Sequence, residues 1–188
     1  MKLRCTWPGE KPNMIEYHDR EWGVPVHNDQ KWFEFIVLDA FQAGLSWEIV
    51  LNKREAFRRA FLNFDPKQVA IMTDQQLEAL RDDASIIRNK LKIYATRTNA
   101  QAFLNIQKEW GSFDKFIWSF TAGKVIQNHW KSNAEIPAKT PLSDQVSKAM
   151  IKAGFKFVGS TIVYAFLQAG GIVNDHLVHC FRHTELKA

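Results

Sequence analysis

The sequence predicts an all-α fold built around a helix-hairpin-helix, and three observations carry that expectation. Apolar residues recur at helical spacing along most of the chain, as at Phe33, Ile36, Val37 and Ala40. Residues that start and stop helices bracket these runs. In the C-terminal third, Gly154-Phe-Lys-Phe-Val-Gly159 joins two helical patterns through a short glycine-bounded turn. With 188 residues and no repeat or low-complexity linker, one domain over 1–188 with a helical core at 28–169 is expected.

Each element follows from local chemistry. Asn28 or Asp29 caps the helix that carries Phe33, Ile36, Val37 and Ala40, and Gly44 ends it. Ser46 is expected to cap the next, with Val50, Phe57 and Phe61 inward and Lys53, Arg54, Arg58 and Arg59 outward. Asp65-Pro66 opens a short helix, because proline is tolerated at the first helical position. Thr73 and Gln76 have capping-box spacing ahead of Leu77 and Leu80. A longer helix from about Ser85 is expected to carry Ile87, Leu91, Tyr94, Thr98 and Ala102 on one face. Residues 111–140 are broken by Gly, Asn and Pro and admit a short strand within 124–127. Ser143 is expected to cap a helix with Val146, Ala149 and Met150 inward, ending at a left-handed Gly154. Ser160 or Thr161 begins the helix after the turn.

Composition narrows the setting. The chain is 46% hydrophobic and 24% charged, with seven Trp and fourteen Phe, as in a globular domain. A net charge of +5 favours a polyanionic partner. The opening MKLRCTWPGEKPN has no apolar stretch of a secretory signal. The uncharged run 157–174 holds Ser160, Thr161, Gln168 and three glycines, which suits a core helix with loops rather than a membrane span. A cytoplasmic protein without membrane contact is expected.

Three groups of residues carry possible chemistry. Cys5 and Cys180 are the only cysteines, and with His18 and His176 they make the Cys2His2 complement of a tetrahedral zinc site. His176 and Cys180 stand at i, i+4, so on a helix they would share a face. Buried small cysteines and competition from His179 or His183 stay open from spacing, while a disulfide loses ground because nothing marks the chain as secreted. The hairpin 154–159, followed by a helix N-terminus and flanked by Lys152 and Lys156, suits either a phosphate or an ordinary helix connection. Tyr17, Trp22, Asp39 and Trp47 are the third group. Asp39 interrupts an apolar helix, where a carboxylate is costly unless it is paired or faces a pocket, and the aromatics serve either as core or as pocket wall.

The motifs YHDREWGVP (17–25), QAGLSW (42–47), IIRNKLKI (86–93), GFKFVG (154–159) and GGIVNDHLVHC (170–180) run in this order through essentially the whole chain. Together they resemble the bacterial 3-methyladenine DNA glycosylase I family. The resemblance implies an all-α helix-hairpin-helix glycosylase domain that cuts the N-glycosidic bond of 3-methyladenine in double-stranded DNA, leaving an abasic site and free 3-methyladenine. It implies one structural zinc held by Cys5, His18, His176 and Cys180, tying 1–25 to 170–183. It places the base among Trp7, Tyr17, Trp22, Asp39 and Trp47, with Tyr17 and Asp39 on the base edge as catalytic residues. DNA is expected on Gly154, Lys156, Gly159, Ser160 and Thr161.

Two positions qualify the match. The family carries Glu where this chain has Asp39, one methylene shorter. The wider superfamily has a catalytic Asp where Asn174 stands here, and this family lacks that group. The family uses no lysine nucleophile at the hairpin, so hydrolysis without strand cleavage is expected. Asp175 is expected to orient His176 or to cap the C-terminal helix. A lesion-binding protein without turnover, or a glycosylase for another base such as 3-methylguanine, is the alternative that Asp39 raises. A monomer is the default expectation.

Overall fold

A computed structural model of the chain describes residues 2–187. The helices are α1 (Pro12–Arg20), α2 (Asp29–Gln42), α3 (Trp47–Asn52), α4 (Arg54–Ala60), α5 (Pro66–Ala70), α6 (Asp74–Leu80), α7 (Lys90–Trp110), α8 (Phe113–Ser119), α9 (Pro141–Lys152), α10 (Ser160–Ala169) and α11 (Phe181–Glu185). Two short strands, β1 (Ile126–Gln127) and β2 (Val173–Asn174), pair in parallel with Ile126 opposite Val173. The fold is all-α, as expected.

Helix α2 is the centre of the core. Trp32, Phe33, Phe35, Leu38 and Phe41 leave it in several directions and all are fully buried, the pattern of a helix covered on every side. It packs against α10, α7, α3 and α8. Asn28 caps it, its side chain accepting from the Lys31 amide at 2.9 Å. Asp29 caps a different helix, accepting from the Phe113 and Asp114 amides of α8, both at 2.9 Å.

Several local expectations shift. The Ser46 hydroxyl makes no cap, and the helix expected after it divides at Lys53 into α3 and α4. Arg54 points inward, hydrogen-bonded to Glu21 and Glu34. Residues 83–89 form turns held by the Asp83 carboxylate, so α7 begins only at Lys90, capped by Asn89. Its inward face includes Ile93, Ala100, Phe103 and Ile106 together with the expected Ala102, while Leu91 is 71% exposed. A one-residue error in the stripe turns the face by about 100°, which is enough to exchange inside for outside. Thr140, three residues before Ser143, caps α9, and Ser143 completes a capping box.

The hairpin between α9 and α10 is built as expected, with Gly154 at φ +100 ending α9. Its backbone is gripped from below. Asn99 of α7 both accepts from the Lys156 amide at 2.7 Å and donates to the Lys156 carbonyl at 3.0 Å. The Ser147 hydroxyl donates to the Val158 carbonyl at 2.6 Å.

After α10 the chain returns to its beginning. The Val26 amide donates to the Gly170 carbonyl at 3.0 Å, and the Phe181 amide to the Leu3 carbonyl at 2.9 Å. Gly170 permits this approach, since a Cβ there would lie 2.1 Å from the ring of Trp32. Trp32 cannot yield, being fully buried with its indole N–H on Asp114 at 2.9 Å. Gly170→Ala is therefore expected to destabilise the fold by about 1–3 kcal/mol through overpacking. Gly159→Ala, where the Cβ meets open space, is the comparison. Urea unfolding checks both, and equal midpoints for the two variants would contradict the packing argument.

Candidate functional site

The five aromatic and acidic residues singled out from sequence converge on one cavity of about 330 Å³. α1 brings Tyr17, the turn after it Trp22, α2 Asp39 and Gln42, α3 Trp47 at its first residue, and the N-terminal segment Trp7. Ala165, Gln168 and Ala169 of α10, with Asn133 and Ile136, complete the wall. Tyr17 and Trp47 lie 5.1 Å apart between ring centroids at 41°, and Trp7 and Trp22 5.1 Å apart at 66°. These rings stand around a void, so they are pocket wall rather than filled core.

Three buried polar groups of the wall are unpartnered. Asp39 is 2% exposed and its Oδ2 has no hydrogen-bond partner; the same holds for the buried indole N–H groups of Trp7 and Trp47. Buried polar atoms without partners are rare in folded proteins, and three around one cavity mark where a polar ligand would pair. Burial pushes the Asp39 carboxyl well above the usual carboxylate range. Burial, then the neighbouring Asp39, pushes the Tyr17 phenol up as well. A cation entering beside the Asp39 carboxyl would favour its ionised form.

The elbow that carries Asp39, Gln42 and Trp47 is fixed by Lys92, whose buried ammonium donates to the carbonyls of Phe41 at 2.9 Å and Ala43 at 2.6 Å. Those carbonyls end α2, where a cation also favours the helix dipole. Within the elbow Gly44 takes φ +80 and Leu45 stands 40% exposed. Behind Tyr17, Arg54 binds Glu21 at 2.7 and 2.9 Å and Glu34 at 2.7 Å. Burial alone would raise both acids, but the guanidinium holds them below the usual carboxylate range.

The cysteine–histidine set also assembles. The ligand atoms of Cys5, His18, His176 and Cys180, all buried, lie within 4.8 Å of one another. Cys5 Sγ and Cys180 Sγ are each 3.6 Å from His176 Nδ1, and Cys180 Sγ is 3.5 Å from His18 Nε2. Tetrahedral zinc, with bonds of about 2.3 Å to sulfur and 2.0–2.1 Å to nitrogen, sets such atoms about 3.6 Å apart. The outer nitrogens are tied as metal-bound imidazoles require: His18 Nδ1 to Asp19 at 2.8 Å and His176 Nε2 to the Trp22 carbonyl at 3.0 Å. The residues fit a zinc ion. Hydrogen bonding from Cys5, then from His176 and His18, pulls the Cys180 thiol down.

The helical face expected for His176 and Cys180 is absent. They flank a turn, and α11 begins only after Cys180. The Cys180 amide closes this turn on the Leu177 carbonyl at 2.7 Å, which brings the pair together without a helix. His183 is engaged by Asn128 and Gln127, and His179 is exposed. Cys5 and Cys180 are free thiols.

Asp175 serves neither expected role. It accepts from Asn128 and Trp130 at 2.6 and 2.8 Å, from the Tyr164 hydroxyl, and from Gln168 at 2.8 Å. Its carboxylate is thereby saturated by the segments around it and leaves nothing for His176.

At the hairpin, Gly154 and Gly159 bracket the turn, and Lys156 and Thr161 are exposed. The first turn of α10 has no side-chain cap, so its amides are open to an anion. Ser160 is partly occupied, its hydroxyl 2.8 Å from that of Ser143. Sequence reasoning missed Gln42, Leu45, Lys92, Ala165 and Gln168. Gln42, Leu45 and Lys92 lie inside motifs already noted, and the Ala165–Gln168 spacing on α10 was the available signal for the rest.

Residues 7–183 match the family model described as methyladenine glycosylase. The chain is 48% identical over 177 residues to DNA-3-methyladenine glycosylase 1 of Escherichia coli, covering 94% of this chain and 95% of that one. A crystal structure of a 3-methyladenine DNA glycosylase I superposes with a TM-score of 0.93 at 47% identity, covering 95% of this chain and 98% of that one. A variant of a 3-methyladenine DNA glycosylase I solved in complex with 3-methyladenine superposes with a TM-score of 0.92 at 34% identity, covering 95% and 96%.

Asp39 leaves a signature in stability. Its folded pKa is raised above an unfolded value of about 3.9, so its favourable contribution is complete below about pH 4. That contribution is lost as pH rises from there through the folded pKa. Asp39→Asn removes the titration, so the variant is expected to gain stability relative to the parent chain as pH rises from about 4 to 7. Urea unfolding across that interval checks the sign; a constant difference would contradict it.

Proposed function

The chain belongs to the methyladenine glycosylase family, and from that premise we propose that its aromatic pocket receives a methylated adenine flipped out of duplex DNA. The protein is a DNA glycosylase of base-excision repair. It hydrolyses the N-glycosidic bond of 3-methyladenine and leaves an abasic site. The observation that carries the pocket assignment is the unpartnered Asp39 oxygen in a void walled by electron-rich rings.

Methylation at N3 gives adenine a positive charge, which weakens the bond to C1′ and makes the base a good leaving group. As that bond breaks, its electron pair goes to the base, which departs neutral; water supplies hydroxide to C1′ and a proton to solvent. The protein must therefore recognise a cation more than supply acid. Trp47 stacking on the base contributes cation–π attraction of about 0.5–2 kcal/mol. Asp39 ionises beside the cation and accepts from the adenine amine, with Tyr17 on the same edge. Trp22 and Trp7 close the pocket. An undamaged adenine brings no charge to offset ionising a buried acid, which is the basis of selectivity. No lysine lines the cavity among the described residues, in keeping with hydrolysis without strand cleavage.

Extrusion costs a few kcal/mol and is cheapest for damaged bases. The hairpin at Gly154, Lys156, Gly159, Ser160 and Thr161 would hold the backbone through the amides of α10 and the Lys156 ammonium. Leu45, exposed between Gln42 and Trp47, is positioned to fill the gap left in the stack.

One zinc ion, held by Cys5, His18, His176 and Cys180, would clip 1–25 to 170–183 around the core 28–169, making 1–188 one domain. Its role there is structural: it contributes folding free energy and takes no part in hydrolysis. The spacing of the four ligand atoms and the anchored outer nitrogens support it. The same reading has the protein working as a monomer in the bacterial cytoplasm. No helix among the described residues is long and apolar enough to cross a membrane.

Free 3-methyladenine is expected in the supernatant when the protein is incubated with methylated duplex DNA. Asp39→Asn should lower kcat/KM about 10- to 100-fold, the worth of a hydrogen bond to a charged group. Absence of release by folded, metal-loaded protein, or undiminished release by Asp39→Asn, would overturn the assignment. Metal analysis is expected to find about one zinc per chain. Its removal by a chelator should cost on the order of several kcal/mol of unfolding free energy. Unchanged stability after complete removal would contradict the clip.

A further inference from the structure

Gln168 lines the pocket from α10, yet nothing in the chemistry so far uses it. Its amide orientation is dictated from behind. Asp175 is 1% exposed and takes four donors: the Asn128 amide at 2.6 Å, the Trp130 indole at 2.8 Å, the Tyr164 hydroxyl and the Gln168 amide at 2.8 Å. Four donors fill both oxygens of a carboxylate, which can then only accept. The NH2 end of Gln168 must face Asp175, so its Oε1 is turned away from it. That oxygen makes no hydrogen bond among the described residues, and Gln168 is a half-buried residue that lines the cavity.

We propose that Gln168 Oε1 is a second acceptor for the exocyclic amine of the flipped adenine, and that Asp175 is the residue that positions it. The inference rests on the glycosylase reading above. An adenine amine has two N–H donors on one edge, and a carboxyl oxygen of Asp39 would answer one of them. A second fixed acceptor would answer the other. The same oxygen would face the C6 carbonyl of a methylated guanine, where acceptor meets acceptor, so Gln168 would exclude guanine as well as hold adenine. A freely rotating glutamine could not do this, since turning its NH2 inward would accommodate guanine. Locking by Asp175 is what makes the amide selective.

The test compares Gln168→Met, which keeps the volume and removes the acceptor, with Asp175→Asn and the double variant. Three quantities are read: affinity for free 3-methyladenine by tryptophan fluorescence, relative release of 3-methyladenine and 3-methylguanine from one duplex, and thermal stability. Gln168→Met is expected to weaken free-base binding and adenine release by about five- to tenfold, the net worth of one hydrogen bond. It should also shift the release ratio toward guanine and lower Tm modestly, because the buried Asp175 loses one of its four donors. Asp175→Asn should cause a similar loss of affinity alone but no further loss on top of Gln168→Met, although it lowers Tm in both backgrounds. Wild-type affinity and release ratio in Gln168→Met would overturn the proposal, as would additive losses in the double variant. Should Asp175→Asn fail to fold, Gln168→Met alone decides. Release by the unaltered chain is a separate readout, so failure of the function and failure of this inference are distinguishable.

Discussion

A carboxyl group with one unpartnered oxygen sits inside the most thoroughly buried helix of the protein, and the surrounding structure is arranged to tolerate it. Unpaired, buried Asp39 is destabilising, because a polar group is buried without a partner. α2 retains it because apolar side chains pin the helix on every side and Lys92 closes its last carbonyls. A looser helix would rotate or fray until the acid met water. The energetic defect and the capacity to select a cation are therefore the same feature.

The cysteine–histidine cluster and the pocket share a wall. Trp22 packs edge-on against His176 at 4.6 Å, and its carbonyl fixes the orientation of that imidazole. Trp22 in turn meets Trp7 at 5.1 Å across the cavity. The ends of the chain are thus joined directly behind the aromatic cage, where the chain termini would otherwise fray. Gly23 makes the approach possible, as a Cβ there would lie 3.0 Å from His176 Nε2. The proposed zinc clip would stiffen the rings here through one layer of packing, without touching the base.

How much of this was legible from sequence follows from the range of each interaction. The helical class, the capping box at Thr73 and the left-handed Gly154 are set by neighbours in the chain, and local chemistry identifies them. Motif resemblance placed Trp7, Tyr17, Trp22, Asp39 and Trp47 in one pocket, and the structure brings them together. What escaped depends on partners distant in sequence. Arg54 reads as a surface arginine until Glu21 and Glu34 are seen beside it. Asp175 looks like a partner for the adjacent His176, whereas its donors come from residues 128–130 and from α10. His176 and Cys180 suggested a helix because i, i+4 spacing is diagnostic only where a helix exists; the turn at Leu177–Cys180 achieves the same convergence.

Helix α7 shows why a repair enzyme of this kind can depend on residues that touch neither DNA nor base. Lys92 holds the elbow carrying the pocket residues, and Asn99, seven residues on along the same face, holds both backbone groups of Lys156 in the hairpin. The two grips are about 10 Å apart along a rigid rod, at 1.5 Å per residue. In the proposed complex, a nucleotide drawn from the duplex would be held at its phosphate by one end of this bracket and at its base by the other. Glycosidic cleavage needs both held at once, and an error of about an ångström in their separation is enough to lose much of the rate. A continuous helix sets that separation more rigidly than two loops could, since its length is fixed by backbone hydrogen bonds rather than by side-chain contacts. Both gripping residues are buried, which is why the bracket shows in neither the charge pattern nor the pocket wall, and only in the hydrogen bonds that cross from one motif to the next.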